Sequence, residues 1–204
     1  MNSPQPGRPR DDRIDHAVPA AVRALLAEVG YGRFTVDQVA ARAGVGKAAI
    51  YRRFGSKAEM VFASAVHDVD TGPVTDTGRL ESDLRALICQ VHDIMDTPAA
   101  RVALPALIEA LTADDTLRER LTDTFLASEL ADVREICERA HARGELADHV
   151  DVELAHLLIT GPLIAALFVF HLPVGEQLLD EIAHSVYLTL TPTSCERLAS
   201  PETR

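Results

Sequence analysis

From Ile14 onward the apolar residues fall at 14, 17, 18, 21, 22, 25, 26 and 29, the three-and-four spacing of a single helix face. Gly30 and Gly32 end that helix. Pro19 lies inside the pattern, where it either kinks the helix or marks its first turn. Two start signals of one kind follow. Thr35-Val36-Asp37-Gln38 and Ser56-Lys57-Ala58-Glu59 each set a hydroxyl residue three positions before Gln or Glu, the capping box that satisfies the first amides of a helix. Phe34 before the first box and Val39 within its helix match a hydrophobic staple. Beyond residue 73 the punctuation by Thr97-Pro98, Asp114-Asp115, Gly144 and Pro173 predicts helices near 79–96, 99–111, 115–142, 151–171 and 175–190. No strand-like alternation of useful length interrupts this series, and the expected fold class is all-α, with about nine helices.

The interval between the two capped starts is short and carries the chemistry. Val36, Val39, Ala40 and Ala43 form one apolar face over 36–43, and Gly44 follows where a left-handed residue turns the chain sharply. Val45 can plug the corner. A second short helix over 47–54 turns Ile50 and Phe54 inward and presents Lys47, Ala48, Tyr51, Arg52 and nearby Arg53 on its other face. Such a helix suits a DNA major groove. Small Ala48 and Ala49 allow close approach and contact with thymine methyls, Lys47 reaches guanine acceptors, and Tyr51 and the arginines reach phosphates or base edges. The helix starts at Thr35 and Lys57 are further phosphate sites, because helix dipoles are positive there. The plain alternative for the same residues is a helical hairpin with solvated charges.

The charge distribution separates these alternatives. The net charge is −11, which looks wrong for a nucleic-acid binder. Yet residues 1–57 hold ten Lys or Arg against five Asp or Glu, whereas residues 58–204 hold ten against twenty-six. A basic head on an acidic body lets only the head approach a polyanion. Cys89, Cys137 and Cys195 are widely spaced with no C-x-x-C pair, so neither a zinc finger nor a disulfide framework is indicated. The N-terminal MNSPQPGRPRDD has no apolar stretch of signal-peptide type, and a cytoplasmic protein is expected. Residues 154–172 approach the length of a membrane span, but His156, Thr160 and Pro162 interrupt them and Asp151, Glu153 and Glu176 flank them. A helix buried on most sides is expected instead.

The run from Thr35 to Lys57, with AARAGVGKAAIYRRFGSK at its heart, resembles the TetR family of bacterial transcriptional regulators over about residues 14–62. The resemblance implies a three-helix helix-turn-helix DNA-binding domain followed by a helical effector and dimerisation domain. It also implies base contacts from Lys47, Ala48 and Tyr51 and phosphate contacts from Thr35, Arg52, Arg53 and Lys57. Gly46 stands where the family often has Ser or Thr, Ala49 replaces a frequent Thr, and Pro19 is unusual in the first helix. Domain boundaries follow: a flexible basic arm over 1–11, the DNA-binding domain over 12–57, a connecting helix over 58–72, the ligand-binding and dimerisation domain over 73–191, and a loose tail over 192–204. Arg8 and Arg10 of the arm suit a narrow minor groove, or belong to a tail that is only incidentally basic.

Helix-turn-helix proteins bind as two-fold dimers, since two recognition helices one DNA turn apart double the contacts. Leu154, Leu158, Gly161, Ala165, Leu179, Ile182 and Val186, from the most apolar pair of segments, are the expected homodimer interface; the alternative is a monomer core. The resemblance implies an effector cavity, for which His92, Met95, Leu104, Phe125, Leu163 and Phe168 are candidate lining residues or simply core. The expected function is a sequence-specific regulator, a repressor released from a palindromic operator by a small-molecule effector, with no cofactor and no enzymatic activity. A different class of reading rests on Glu138-x-x-His141, Glu153-x-x-His156 and Glu181-x-x-His184, since paired Glu-x-x-His motifs hold di-iron sites in helix bundles.

Overall fold

The computed structural model describes residues 12–69, 72–146 and 150–191, so the arm carrying Arg8 and Arg10 and the segment after 191 lie outside the described residues. Every regular element among the described residues is a helix, without a strand. The helices are α1 (Asp12–Val29), α2 (Val36–Ala43), α3 (Lys47–Phe54), α4 (Lys57–Phe62), α5 (Leu80–Met95), α6 (Pro98–Ala113), α7 (Asp115–Leu121), α8 (Ala127–Ala142), α9 (Val152–Ile164) and α10 (Glu176–Leu190). Three π-helical turns extend them: Ala63–His67 after α4, Thr122–Leu126 joining α7 directly to α8, and Ala165–Val169 after α9. Such i→i+5 turns are rare, and they concentrate at functional sites.

The chain divides into two compact units. The first holds residues 12–69 together with 98–113, and within it α6 packs with α1 and α4. Its core follows the predicted spacing: Ile14, Val18, Ala21, Val22, Leu25 and Leu26 of α1 are buried, as are Phe34, Val39, Ile50 and Phe54. Pro19 is interior to α1, which settles the open choice against a helix start. Arg23 donates to the Ser64 carbonyl at 2.8 Å and so ties α1 to the π turn.

The second unit spans 70–97 and 114–204. Helix α10 packs chiefly on α5 and also on α9, while α8 packs on α5 and α9. A buried polar knot pins the irregular segment before α5 to the end of α8. Asp83 is fully buried; its carboxylate accepts from the Thr77 amide and hydroxyl, both at 2.6 Å, and from Arg143 at 3.1 Å. Arg143 also meets Asp76 and Glu145, Glu145 accepts from the Leu80 amide at 2.8 Å, and Arg139 donates to the carbonyls of Val74 and Thr75. Burial alone pushes the Asp83 carboxyl up, but the Thr77 and Arg143 bonds outweigh it and leave its pKa below the ordinary value.

Helix α9 departs from expectation. With its π turn it is long and apolar enough to cross a membrane by length and composition, at a mean hydropathy of 2.0. It is not buried on most sides: only Ala155, Ile159, Leu163, Ala166 and Leu167 are. The expected interface set splits accordingly. Leu154 and Gly161 are exposed and Leu158 and Ala165 half-buried, whereas Leu179, Ile182 and Val186 are buried in the core of their own unit. An amphipathic helix has one apolar stripe, and α10 spends it on α5 and α9. The uncovered large apolar residues described in this unit are Leu154, Leu157, Val169, Phe170 and Leu172, with Leu188 of α10.

Candidate nucleic-acid interface

Local sequence builds the reading head. Thr35 takes an extended backbone and its hydroxyl accepts from the Gln38 amide at 3.3 Å, while the Gln38 side chain accepts from the Thr35 amide at 2.8 Å. The predicted capping box is therefore complete. Ser56 likewise accepts from the Glu59 amide at 3.1 Å, opening α4. Gly44 sits at φ 65°, in the left-handed region that a Cβ disfavours, and Val45 then bonds back to the Ala40 carbonyl at 3.1 Å. Gly46 opens α3 with no side-chain cap, and nothing lies within 4 Å of where its Cβ would be.

Helix α3 buries Ile50 and Phe54 and exposes Lys47, Ala48, Tyr51, Arg52 and Arg53, with Ala49 half-buried. Tyr51 is 43% exposed. Ala48, Tyr51 and Arg52 are exposed, so this face presents a small contact surface, a phenol and a guanidinium to solvent.

The other sequence-predicted contacts are already engaged. The Lys47 ammonium lies 3.0 Å from each Asp37 carboxylate oxygen, a hydrogen bond and charge pairing that raise its pKa. Arg53 donates through Nε to Asp15 at 3.1 Å and stacks over the Phe54 ring at 5.1 Å, leaving its terminal nitrogens available. The Thr35 hydroxyl is occupied by its cap. Lys57 is engaged as well. Its ammonium donates to the Tyr31 carbonyl at 2.7 Å and lies 4.6 Å and 4.5 Å from the Tyr31 and Phe34 ring centroids. Those rings meet edge to face, and burial against them lowers the Lys57 pKa. Without DNA the amine therefore points into the turn between α1 and α2. Arg42 closes the same head with a bidentate pair to Glu28 at 2.8 and 2.7 Å. Sequence reading missed these partners because Asp15, Glu28 and Tyr31 lie far from theirs along the chain, beyond any helical spacing.

The alternative chemistries fall away. Among the described residues no group of three or more His, Cys, Asp and Glu could hold a metal. Glu138, Glu153 and Glu181 are exposed, and His184 pairs with Glu81 at 2.8 Å while His156 lies 3.7 Å from Glu129. The Glu-x-x-His motifs thus serve a solvated surface and do not converge. The effector candidates divide as well: Leu104 lies in the first unit, whereas His92, Met95, Phe125, Leu163 and Phe168 lie in the second.

Known proteins agree with this geometry. The family described as bacterial regulatory proteins of the tetR family matches residues 20–64, and the tetracyclin repressor-like C-terminal domain matches residues 74–186. The chain is 29% identical over 189 residues to the HTH-type transcriptional regulator YdeS of Bacillus subtilis, covering 92% of this chain and 95% of that one. It is 34% identical over 149 residues to the DNA-binding transcriptional repressor TetR of Mycobacteroides abscessus, covering 72% of this chain and 78% of that one. Among solved structures, the TetR family transcription regulator SCO0332 superposes with a TM-score of 0.72 at 26% identity, covering 88% of this chain and all of that one. With family domains spanning both the reading head and the helical body, the chain belongs to the TetR family and is a DNA-binding transcriptional regulator, not an enzyme.

Proposed function

We propose that the protein is a homodimeric repressor that reads a palindromic operator through α3 and is released by a small-molecule effector. It would act in the cytoplasm, where the chromosome is. The observation that carries the reading is the outward face of α3, where Ala48, Tyr51 and Arg52 stand exposed on a helix joined to α2 by the tight Gly44 turn. Lys47, Ala48 and Tyr51 supply base contacts, and Arg52 and Arg53 supply phosphate contacts, with the first amides of α2 beside Thr35 adding a dipole site. Selecting bound fragments from genomic DNA tests this. Enrichment of a two-fold-symmetric sequence supports it, and retention of fragments without a shared sequence rejects it.

Dimer formation is supported by α9. A helix that is apolar all round is normally buried all round, yet Leu154 and Leu157 stay 41% and 64% exposed on the face that also carries Gly161. Together with Leu188 on α10 they offer an apolar surface for a second copy. Leu157→Glu should yield monomers in sedimentation and abolish tight operator binding; a dimer that persists would move the interface elsewhere.

Effector binding is supported by the second unit. Met95 and Leu163 are buried there and His92, Phe125 and Phe168 half-buried, with both phenylalanines on π turns. A TetR-fold neighbour, the regulator FadR of Bacillus subtilis at 19% identity and a TM-score of 0.53, is described in complex with stearoyl-CoA. These mostly apolar candidates would suit a largely apolar effector. Release would run through α6, which packs on α1 and α4 within the first unit and leaves that unit at both of its ends. Operator DNA must then weaken effector binding by the factor by which effector weakens operator binding.

A further inference from the structure

We propose that Asp37 is a specificity-determining residue, a carboxylate on α2 that buttresses the Lys47 ammonium of α3 while that lysine contacts a guanine. The proposal rests on the reading of Lys47 as a base contact. The ammonium sits astride both carboxylate oxygens, 3.0 Å from each, across the turn between the two helices. Asp37 is the largest influence on it, ahead of the nearby Tyr51. Gly46 gives α3 no side-chain cap, and the Lys47 side chain is 48% exposed at the first position of its helix. Four rotatable bonds would otherwise spread the amine over a wide volume, and a point charge on a flexible stem discriminates bases poorly.

An acidic side chain 70% exposed on the face that meets a polyanion repels it. As an exposed ion pair it also adds little to stability. Its location is therefore explained by what it does to Lys47. With one proton directed to Asp37, the ammonium keeps two for the O6 and N7 acceptors of a guanine, and the carboxylate fixes the direction in which they point. Non-specific attraction is reduced and base discrimination is gained by the same group.

Three proteins test this: Asp37→Ala, Lys47→Ala and the double variant, each first confirmed to melt as the parent does. Binding is measured at one salt concentration to the duplex selected from a random library, to its single-base-pair variants and to a scrambled duplex. Asp37→Ala should bind the scrambled duplex about twofold or more tightly. It should also lose discrimination on the order of fivefold at one base pair, the same pair at which Lys47→Ala loses it. The double variant should discriminate no worse than Lys47→Ala alone. Full discrimination in Asp37→Ala, or equal weakening on every duplex, overturns the buttress while leaving Lys47 as a base contact. Full discrimination in Lys47→Ala overturns both.

Discussion

The two units differ in how deeply they draw charge out of water, although the second also carries exposed pairs such as Arg118–Asp115. In the first, the ion pairs Lys47–Asp37, Arg53–Asp15 and Arg42–Glu28 lie at the surface, with every side chain at least 39% exposed. In the second, Asp83 is fully buried and Arg143, 25% exposed, holds it with Asp76 and Glu145 around it. Exposed pairs contribute about 0–1 kcal/mol and exchange partners freely, whereas removing one member of a buried pair strands a charge and costs about 3–5 kcal/mol. The contrast fits the division of labour. Charges that must trade a carboxylate for a phosphate stay wet, and charges that fix a chain path are taken out of water.

The sharpest way to break that contrast is Arg143→Ala, which leaves Asp83 buried with only its Thr77 bonds. A loss of about 3 kcal/mol in denaturant unfolding is expected. The pH dependence carries the same sign. Because the folded state depresses the Asp83 pKa, its contribution is present above the ordinary carboxylate value and is lost as pH falls through the folded one. Arg143→Ala should therefore unfold at a higher pH during acid titration than the parent; an unchanged acid midpoint would show that Asp83 does not depend on Arg143.

Lys57→Ala comes next, because this lysine is drawn partly into the core of the head. Loss of the Tyr31 carbonyl bond and of the two ring contacts should lower stability by about 1–2 kcal/mol in thermal unfolding. The slope of log affinity against log salt should stay unchanged. A slope smaller by about one would mean that Lys57 neutralises a phosphate after all.

Arg52→Ala should do the reverse. Its stability should stay within about 0.5 kcal/mol of the parent, and the salt slope of operator binding should fall by about one. The smallest effect belongs to Gly46→Ser. Gly46 has an ordinary extended backbone with open space at its Cβ, so a serine hydroxyl can cap α3 and raise stability by a few tenths of a kcal/mol. A destabilised Gly46→Ser protein would show that the cap position is strained.

Much of the head was legible because its signals are local. The Thr35 box, the Gly44 turn, the inward Ile50 and Phe54 and the outward Ala48 and Tyr51 depend on neighbours within four residues. Pro19 was not decidable that way, since its position relative to the helix start depends on how far α1 extends toward Asp12. The five later helices were placed to within a few residues by their punctuation, and the join of α7 to α8 through a π turn kept the predicted single helix over 115–142.

What the sequence by itself determined is the set of helices, their caps and the face each helix prefers to bury, because periodicity and capping act over one or two turns. Only the tertiary structure decided what covers each face. It directed the apolar stripe of α10 into its own unit, left Leu154 and Leu157 of α9 bare, and grouped α6 with the reading head. It also chose Asp37, Asp15 and Tyr31 as partners for cations that the sequence shows only as cations. Apolar burial and ion pairing are set by proximity in space, and a helix pattern specifies a chemical preference without specifying the neighbour that satisfies it.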